Sequence, residues 1–197
     1  NGMVQDCTAQ ADCASSLSEC STDPNNLDKL QCDPNGASAG HYVDSNGMVQ
    51  DCTAITDGSV PDGANYHCTD STDSKVDSCA TNYEMINTEA IDGVTYGECQ
   101  AITCTPPTDT SGYTITASQL NLALGFDVSV GTSCATGYTG TPVVEACTSS
   151  GPYTLRGCTE CTEQADCASS LSECSTDPNN LDKLQCQSDG ASAGHYV

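Results

Sequence analysis

Cysteine decides what this chain can fold into. Sixteen of its 197 residues are cysteine, and they fall in fours: Cys7, Cys13, Cys20 and Cys32; Cys52, Cys68, Cys79 and Cys99; Cys104, Cys134, Cys147 and Cys158; and Cys161, Cys167, Cys174 and Cys186. Each group can close as two internal bridges; four cysteines permit three connectivities, and spacing does not choose among them. A bridge from Cys32 to Cys52 is a further option that would move the first boundary. A bridge around a loop of roughly 15 residues contributes about 3 kcal/mol, and the chain needs such help. Trp is absent, Phe126 is the single Phe and aromatics are 5% of residues, so bulky core anchors are scarce. Small modules with too little apolar surface to bury are held by disulfides instead. The expected fold class is a small disulfide-rich, mostly β and loop protein, built as a string of short modules.

Disulfides persist in oxidising compartments, so the expected localisation is extracellular or cell surface. No signal peptide and no apolar run of spanning length occurs, and the segment reads as a mature, soluble one without membrane insertion. The charge is extreme, 27 acidic residues against four basic ones, net −23. Phosphate contacts need Lys and Arg, so nucleic acid is excluded as a partner, and anionic membrane is disfavoured for the same reason. A solvated acidic surface keeps an extracellular protein from aggregating.

The chain also repeats itself. Ala11–Cys32 recurs letter for letter as Ala165–Cys186, 154 positions later. Extended outward, Cys7–Val43 matches Cys161–Val197 with four differences, Ala9/Glu163, Asp33/Gln187, Pro34/Ser188 and Asn35/Asp189. A shorter phrase, NGMVQDCTA, occurs at Asn1–Ala9 and again at Asn46–Ala54. The chain opens on a phrase that elsewhere follows GHYVDS and ends on GHYV, which reads as a window from a tandem array with a 154-residue period.

Residues 104–158 carry a family resemblance. Cys134-Ala-Thr-Gly137-Tyr138 and Cys147-Thr-Ser-Ser-Gly151, followed by Tyr153, resemble the turn motifs of a sushi (complement-control) module. That resemblance implies a small β module bridged first to third and second to fourth, Cys104 to Cys147 and Cys134 to Cys158. Tyr153 stands where the family usually has Trp, and Gly157 where Pro commonly precedes the last cysteine. The residues agree independently, since SGYTITASQLNLALGFDVSVGTSC mixes β-branched and aromatic residues with short Gly and Ser breaks. Alternation in FDVSV puts Phe126, Val128 and Val130 on one face. A helical turn in SQLNLALGF is the weaker reading beside Gly125 and the flanking strands.

CATNYEMI at Cys79 echoes CATGYTGT at Cys134, so residues 52–103 resemble a diverged sushi-like or EGF-like unit. Residues 1–51, with strong turn signals at Pro24, Pro34 and Asn35-Gly36, resemble EGF-like modules or protist surface-antigen repeats in cysteine density. CASSLSEC there is compatible with one helical turn. The expected organisation is therefore an EGF-like-sized module with linker at 1–51, a second cysteine-rich module at 52–103, a sushi-like module at 104–158 and the start of the next repeat at 159–197.

No constellation for catalysis stands out, and an enzyme is not expected. His41, His67 and His195 read as turn or surface residues beside Tyr42 and Tyr66, and no Gly-x-Ser-x-Gly elbow occurs. The C-x-x-C at Cys158–Cys161 reads as one module closing and the next opening, with two intervening residues that restrict rotation; no redox or metal chemistry and no cofactor are expected. For Ca²⁺, Asp70, Asp73, Asp77, Asp44 and Asn46 are available, but none continues into an EF-hand loop. No Asn-x-Ser/Thr sequon is present, whereas the Pro/Thr-rich CTPPTDTSGYT offers Thr105, Thr108 and Thr110 as O-glycan candidates.

These features point to a structural subunit of an extracellular filament, hair or surface coat built from tandem disulfide-braced repeats, with self-association as the main partnership and glycans or Ca²⁺ as further candidates. By architecture, protist flagellar hairs and surface antigens are what it resembles. The alternative is an adhesin or receptor ectodomain binding a protein or glycan ligand.

Overall fold

A computed structural model describes residues 6–165, 167 and 170–187. It is a disulfide-rich β protein, and among the described residues no cysteine is free and the one helical segment is a short 3-10 turn at Leu122–Leu124. The chain divides into two compact units, Asn1–Ala101 and Ile102–Val197.

The first unit opens with a small antiparallel pair, β1 (Ser16–Cys20) with β2 (Leu30–Cys32). CASSLSEC thus ends in a strand, which corrects the expectation of a helical turn. Cys13 bonds Cys32 and Cys20 bonds Cys7, so the segment between Cys13 and Cys20 is tied to two different neighbours. Pairing Ser16 opposite Cys32 and Cys20 opposite Leu30 requires extended backbone. A second antiparallel pair, β3 (His41–Val43) with β4 (Val49–Asp51), follows. It turns through Asp44–Gly47, where the Asp44 carboxylate accepts the N–H groups of Asn46 and Met48. With Cys32 bonded to Cys13, the optional Cys32–Cys52 bridge is absent; Cys52 bonds Cys68.

The rest of that unit is a four-stranded sheet in the order β5 (Tyr66–His67), β6 (Lys75–Val76), β8 (Val94–Ala101), β7 (Tyr83–Ile91). The β7–β8 hairpin turns at Asp92-Gly93, both with positive φ, 51° and 83°, as a tight hairpin turn requires. Val76 of β6, paired with Gly97 of β8, is fully buried, and Cys68 and Tyr96 are buried as well. Cys79–Cys99 ties the start of β7 to the end of β8.

The second unit holds β9 (Cys104–Thr105), β10 (Ile115–Gln119), β11 (Asp127–Val130), β12 (Tyr138–Glu145), β13 (Gly151–Pro152) and β14 (Thr154–Glu160). They pair as β10–β11 and β12–β14 antiparallel and β9–β13 parallel. Ile102, Cys104, Val128, Cys147 and Tyr153 form the core, with Phe126, Leu122, Val144 and Leu155 packed on it. Tyr153 meets Phe126 edge-on at 6.1 Å, a favourable ring geometry, so a tyrosine fills the centre here. The bridges are Cys104–Cys147 and Cys134–Cys158. Between β10 and β11, the segment read chiefly as strand contains the 3-10 turn instead. Asn121 caps it by accepting the N–H groups of Ala123 and Leu124, and Gly125 ends it with a φ of 90°.

The echo between Cys79 and Cys134 has a structural content. Three residues after each cysteine the backbone turns left-handed, Asn82 at 72° and Gly137 at 83°. In both, the N–H of the next tyrosine returns to an alanine carbonyl, Tyr83 to Ala80 and Tyr138 to Ala135. Each cysteine then bonds to one on the returning strand.

Candidate functional site

The repeated phrase forms a surface element braced by two disulfides. Its two bridges, Cys7–Cys20 and Cys13–Cys32, frame a loop of two successive turns. Asn26 N–H bonds Asp23 O and Lys29 N–H bonds Asn26 O, while the Asp23 carboxylate accepts from Asn25 and Asn26. Thr8 exchanges backbone bonds with Asp28 and Leu30, pinning the loop to the N-terminal segment. Leu27 sits at its tip and is 60% exposed. Lys29 Nζ lies 3.8 Å from Asp28 and 3.3 Å from the Thr8 hydroxyl.

The second copy repeats these bonds. Cys161–Cys174 and Cys167–Cys186 frame β15 (Ser170–Cys174) and β16 (Leu184–Cys186) in the same register. Asn180 bonds Asp177, Lys183 bonds Asn180, and Thr162 bonds Asp182 and Leu184. Leu181, the counterpart of Leu27, is 48% exposed. Two chemically identical phrases therefore display the same leucine and lysine on the same rigid loop. The positions that differ between copies lie outside it.

Gln10 locks the first copy to the hairpin that follows. Its amide nitrogen donates to Leu30 O and Gly47 O, at 2.8 and 2.7 Å, and its oxygen accepts Val49 N–H at 2.8 Å. One side chain thus ties β2 to the end of the β3–β4 turn and the first residue of β4. Gln164 makes the corresponding bond to Leu184 O. At the other junction, Cys158 and Cys161 belong to different bridges, Cys134–Cys158 and Cys161–Cys174. Cys161 is buried and its N–H bonds Gly137 O, so the two-residue linker is anchored to the module before it.

The aspartates mostly hold loops. Asp23, Asp33, Asp44, Asp57, Asp70, Asp109 and Asp177 each accept the N–H two residues on, the Asx-turn arrangement. Charge-assisted acceptance from N–H groups favours the carboxylate form. The backbone N–H of Asn25 holds Asp23 below its ordinary value of 3.8, that of Ser111 does so for Asp109 and that of Asn179 for Asp177. The Ser59 hydroxyl lowers Asp57 and the Asn65 side chain lowers Asp77. Burial raises Asp73, but bonds from Thr69 and Asp70 outweigh it and the net direction is down. Of the carboxylates considered for Ca²⁺, Asp73 accepts from Thr69 and Asp70, Asp70 from Thr72, Asp77 from Asn65, and Asp44 from Asn46, Met48 and Gln50. Among the described residues no group of three or more His, Cys, Asp or Glu is arranged to hold a metal ion.

Two clefts are lined by tyrosine. In the first unit, a cleft of about 660 Å³ is lined by Tyr42, Tyr66, Tyr96, His67, Ile91 and Val94, with Asp92 as its one Asp, Glu, Lys or Arg. His67 and Tyr96 pack at 5.5 Å. His41 also lines it, with its Nε2 3.0 Å from Asp51 and 3.7 Å from Asp12; His195 lies outside the described residues. In the second unit, a cleft of about 510 Å³ holds Tyr113, Tyr138 and Tyr153, with Asp109 and Glu160. Six of the eight tyrosines thus line two clefts. Thr105, Thr108 and Thr110 are all exposed. No helix among the described residues is long and apolar enough to cross a membrane.

No family model, curated protein or solved structure matches the chain. Sequence reading missed the role of Gln10, the exposure of Leu27 and the first cleft. The verbatim phrase marks Gln10 and Leu27 as repeated, but no local signal distinguishes an exposed leucine from a core one. The cleft joins residues from positions 34 to 96, which pattern reading does not bring together.

Proposed function

We propose that the chain is a structural subunit of an extracellular filament, hair or surface coat, built from tandem disulfide-braced modules in which residues 104–158 are sushi-like. The observation that carries this reading is the duplicate frame: the phrase recurs 154 positions on with the same bridges, strand register and loop bonds. Repeating contacts in a polymer require equivalent surfaces, and a heterologous contact that does not close generates a filament. The anchored junction at Cys161 supports the same reading, because a freely rotating linker would leave successive modules without a defined rise and twist. The eight bridges fit an oxidising, extracellular setting.

The length of the full reading frame tests the proposal. Many near-identical 154-residue periods without a distinct head are expected. Two copies followed by a membrane anchor and an unrelated binding head would overturn it in favour of an adhesin or receptor ectodomain.

A further inference from the structure

We infer that the Asn1–Gln5 segment of one copy of this chain docks on the Gln164 frame of another, as Asn46–Gln50 docks on the Gln10 frame within the chain. The inference rests on the self-assembly reading above and names the two surfaces that carry it.

The first frame shows what it is built to hold. Gly47 O accepts both the Cys32 N–H and the Gln10 amide, at 2.8 and 2.7 Å, and Val49 N–H returns to the Gln10 oxygen at 2.8 Å. Gly47 lies so close to Gln31 that a Cβ on it would stand 2.8 Å from the Gln31 Cβ, and its φ is 74°. Only glycine suits that position. Gly-Met-Val is thus held by a carbonyl, an absent side chain and one N–H, with Met48 between them buried.

The second frame has the same receiving groups. Gln164 donates to Leu184 O at 2.8 Å as Gln10 does to Leu30 O, and Gln185 donates to Cys174 O as Gln31 does to Cys20 O. The bridges and the strand register match as well. The copies differ in cover. Cys32, whose N–H meets Gly47, is 1% exposed, whereas its counterpart Cys186 is only partly buried. The surface that the hairpin covers in the first copy is less covered in the second.

The occupant is written in the chain. Its 197 residues hold two such frames and two copies of NGMVQDCTA, Asn1–Ala9 and Asn46–Ala54. One phrase meets one frame within the chain. The other carries the same recognition groups at Gly2, Met3 and Val4. Exchange of an identical element between chains is a low-cost route to assembly, and donation of a segment to a neighbour's frame is one form of it. Asn1–Gln5 has no charged side chain, so a surface of net −23 does not repel it. It lacks the Asp44 turn that presents Asn46–Gln50, which makes the contact between copies the weaker of the two. Donor segment and second frame lie in different units, so each copy gives one contact and takes one. Such a heterologous contact extends rather than closes.

The test uses the 197-residue chain with its disulfides intact. Sedimentation velocity compares the wild type with Gly2→Val, which spoils the donor, and Gln164→Ala, which spoils the receiving frame. Neither variant touches the Gln10–Gly47 contact in the first unit. Each alone is expected to weaken association by about tenfold or more, from a side chain without room or from lost hydrogen bonds. Mixed in equal amounts they are expected to form dimers and nothing longer, because one keeps an intact frame and the other an intact donor. Mass and circular dichroism check that both variants keep their bridges and fold. Undiminished association of either variant, or a mixture that stays monomeric, overturns the exchange while leaving self-assembly standing. A wild-type chain that stays monomeric at every concentration overturns both.

Discussion

Gly140 and Gly157 meet across β12 and β14 with no room for a side chain on either. A Cβ on Gly140 would stand 1.9 Å from Gly157 O, and one on Gly157 would stand 1.9 Å from Thr141 O. Both residues have positive φ, 121° and 92°, and they lie at the register shift between Gly140 and Val143. The clash is with backbone on both sides, so a rotamer change cannot relieve it. Gly157→Ala and Gly140→Ala are each expected to destabilise the second unit by roughly 3 kcal/mol or more. Gly63→Ala, where φ is also positive but nothing lies within 4 Å, is expected to cost only about 1 kcal/mol. Equilibrium denaturation in guanidinium chloride gives both numbers. Equal costs at the two kinds of site would contradict the packing described.

The bridges differ in what they constrain. Cys104 and Cys147 are separated by 43 positions, Cys7 and Cys20 by 13. Loop-entropy arguments give about 4 kcal/mol for the first and about 3 kcal/mol for the second. Cys104 is also fully buried in the core, and its sulfur receives the Cys147 N–H. Replacing the Cys104–Cys147 pair by alanines should therefore lower stability more than replacing Cys7 and Cys20. Thermal unfolding of the two double variants checks the order.

Acid should loosen the loops. Asp23, Asp57, Asp73, Asp77, Asp109 and Asp177 all have folded values below the ordinary 3.8. A carboxylate depressed on folding adds stability that is present above its unfolded value and is lost as pH falls through the folded one. Melting temperature should hold from pH 7 to about 4.5 and decline below about 4. Asp23→Asn with Asp177→Asn removes two of these carboxylates and should flatten that decline. A melting temperature that rises on acidification would contradict the staple role.

Gln10→Ala removes three hydrogen bonds that tie β2 to the β3–β4 turn. Each such bond contributes about 1 kcal/mol net, with a further penalty for backbone groups left unpaired. Amide exchange at Val49 should accelerate by tenfold or more, while Val144 in the second unit keeps its protection. Hydrogen exchange resolved by residue distinguishes the two.

The cysteine groups and the turn-rich composition made the class of fold legible, because few aromatic anchors and many cysteines leave little choice. The face shared by Phe126 and Val128 was readable for the same reason: a period of two has one meaning beside a core. The strand at Ser16–Cys20 was not, since CASSLSEC carries no strong propensity and its conformation is imposed by partners at Cys7 and Cys32. The 3-10 turn at Leu122–Leu124 hid among strand-like neighbours, and its signal was the capping Asn121. The acidity was visible as net charge, yet its role as loop staples depends on single hydrogen bonds. Gln10 and the first cleft depend on contacts between distant segments, which no local pattern encodes.

The most direct test of the structural role is electron cryo-microscopy of the native material. Filaments are expected, with a regular axial spacing accounted for by one 154-residue period or by a fixed number of them. Monodisperse particles without polymer would contradict the account.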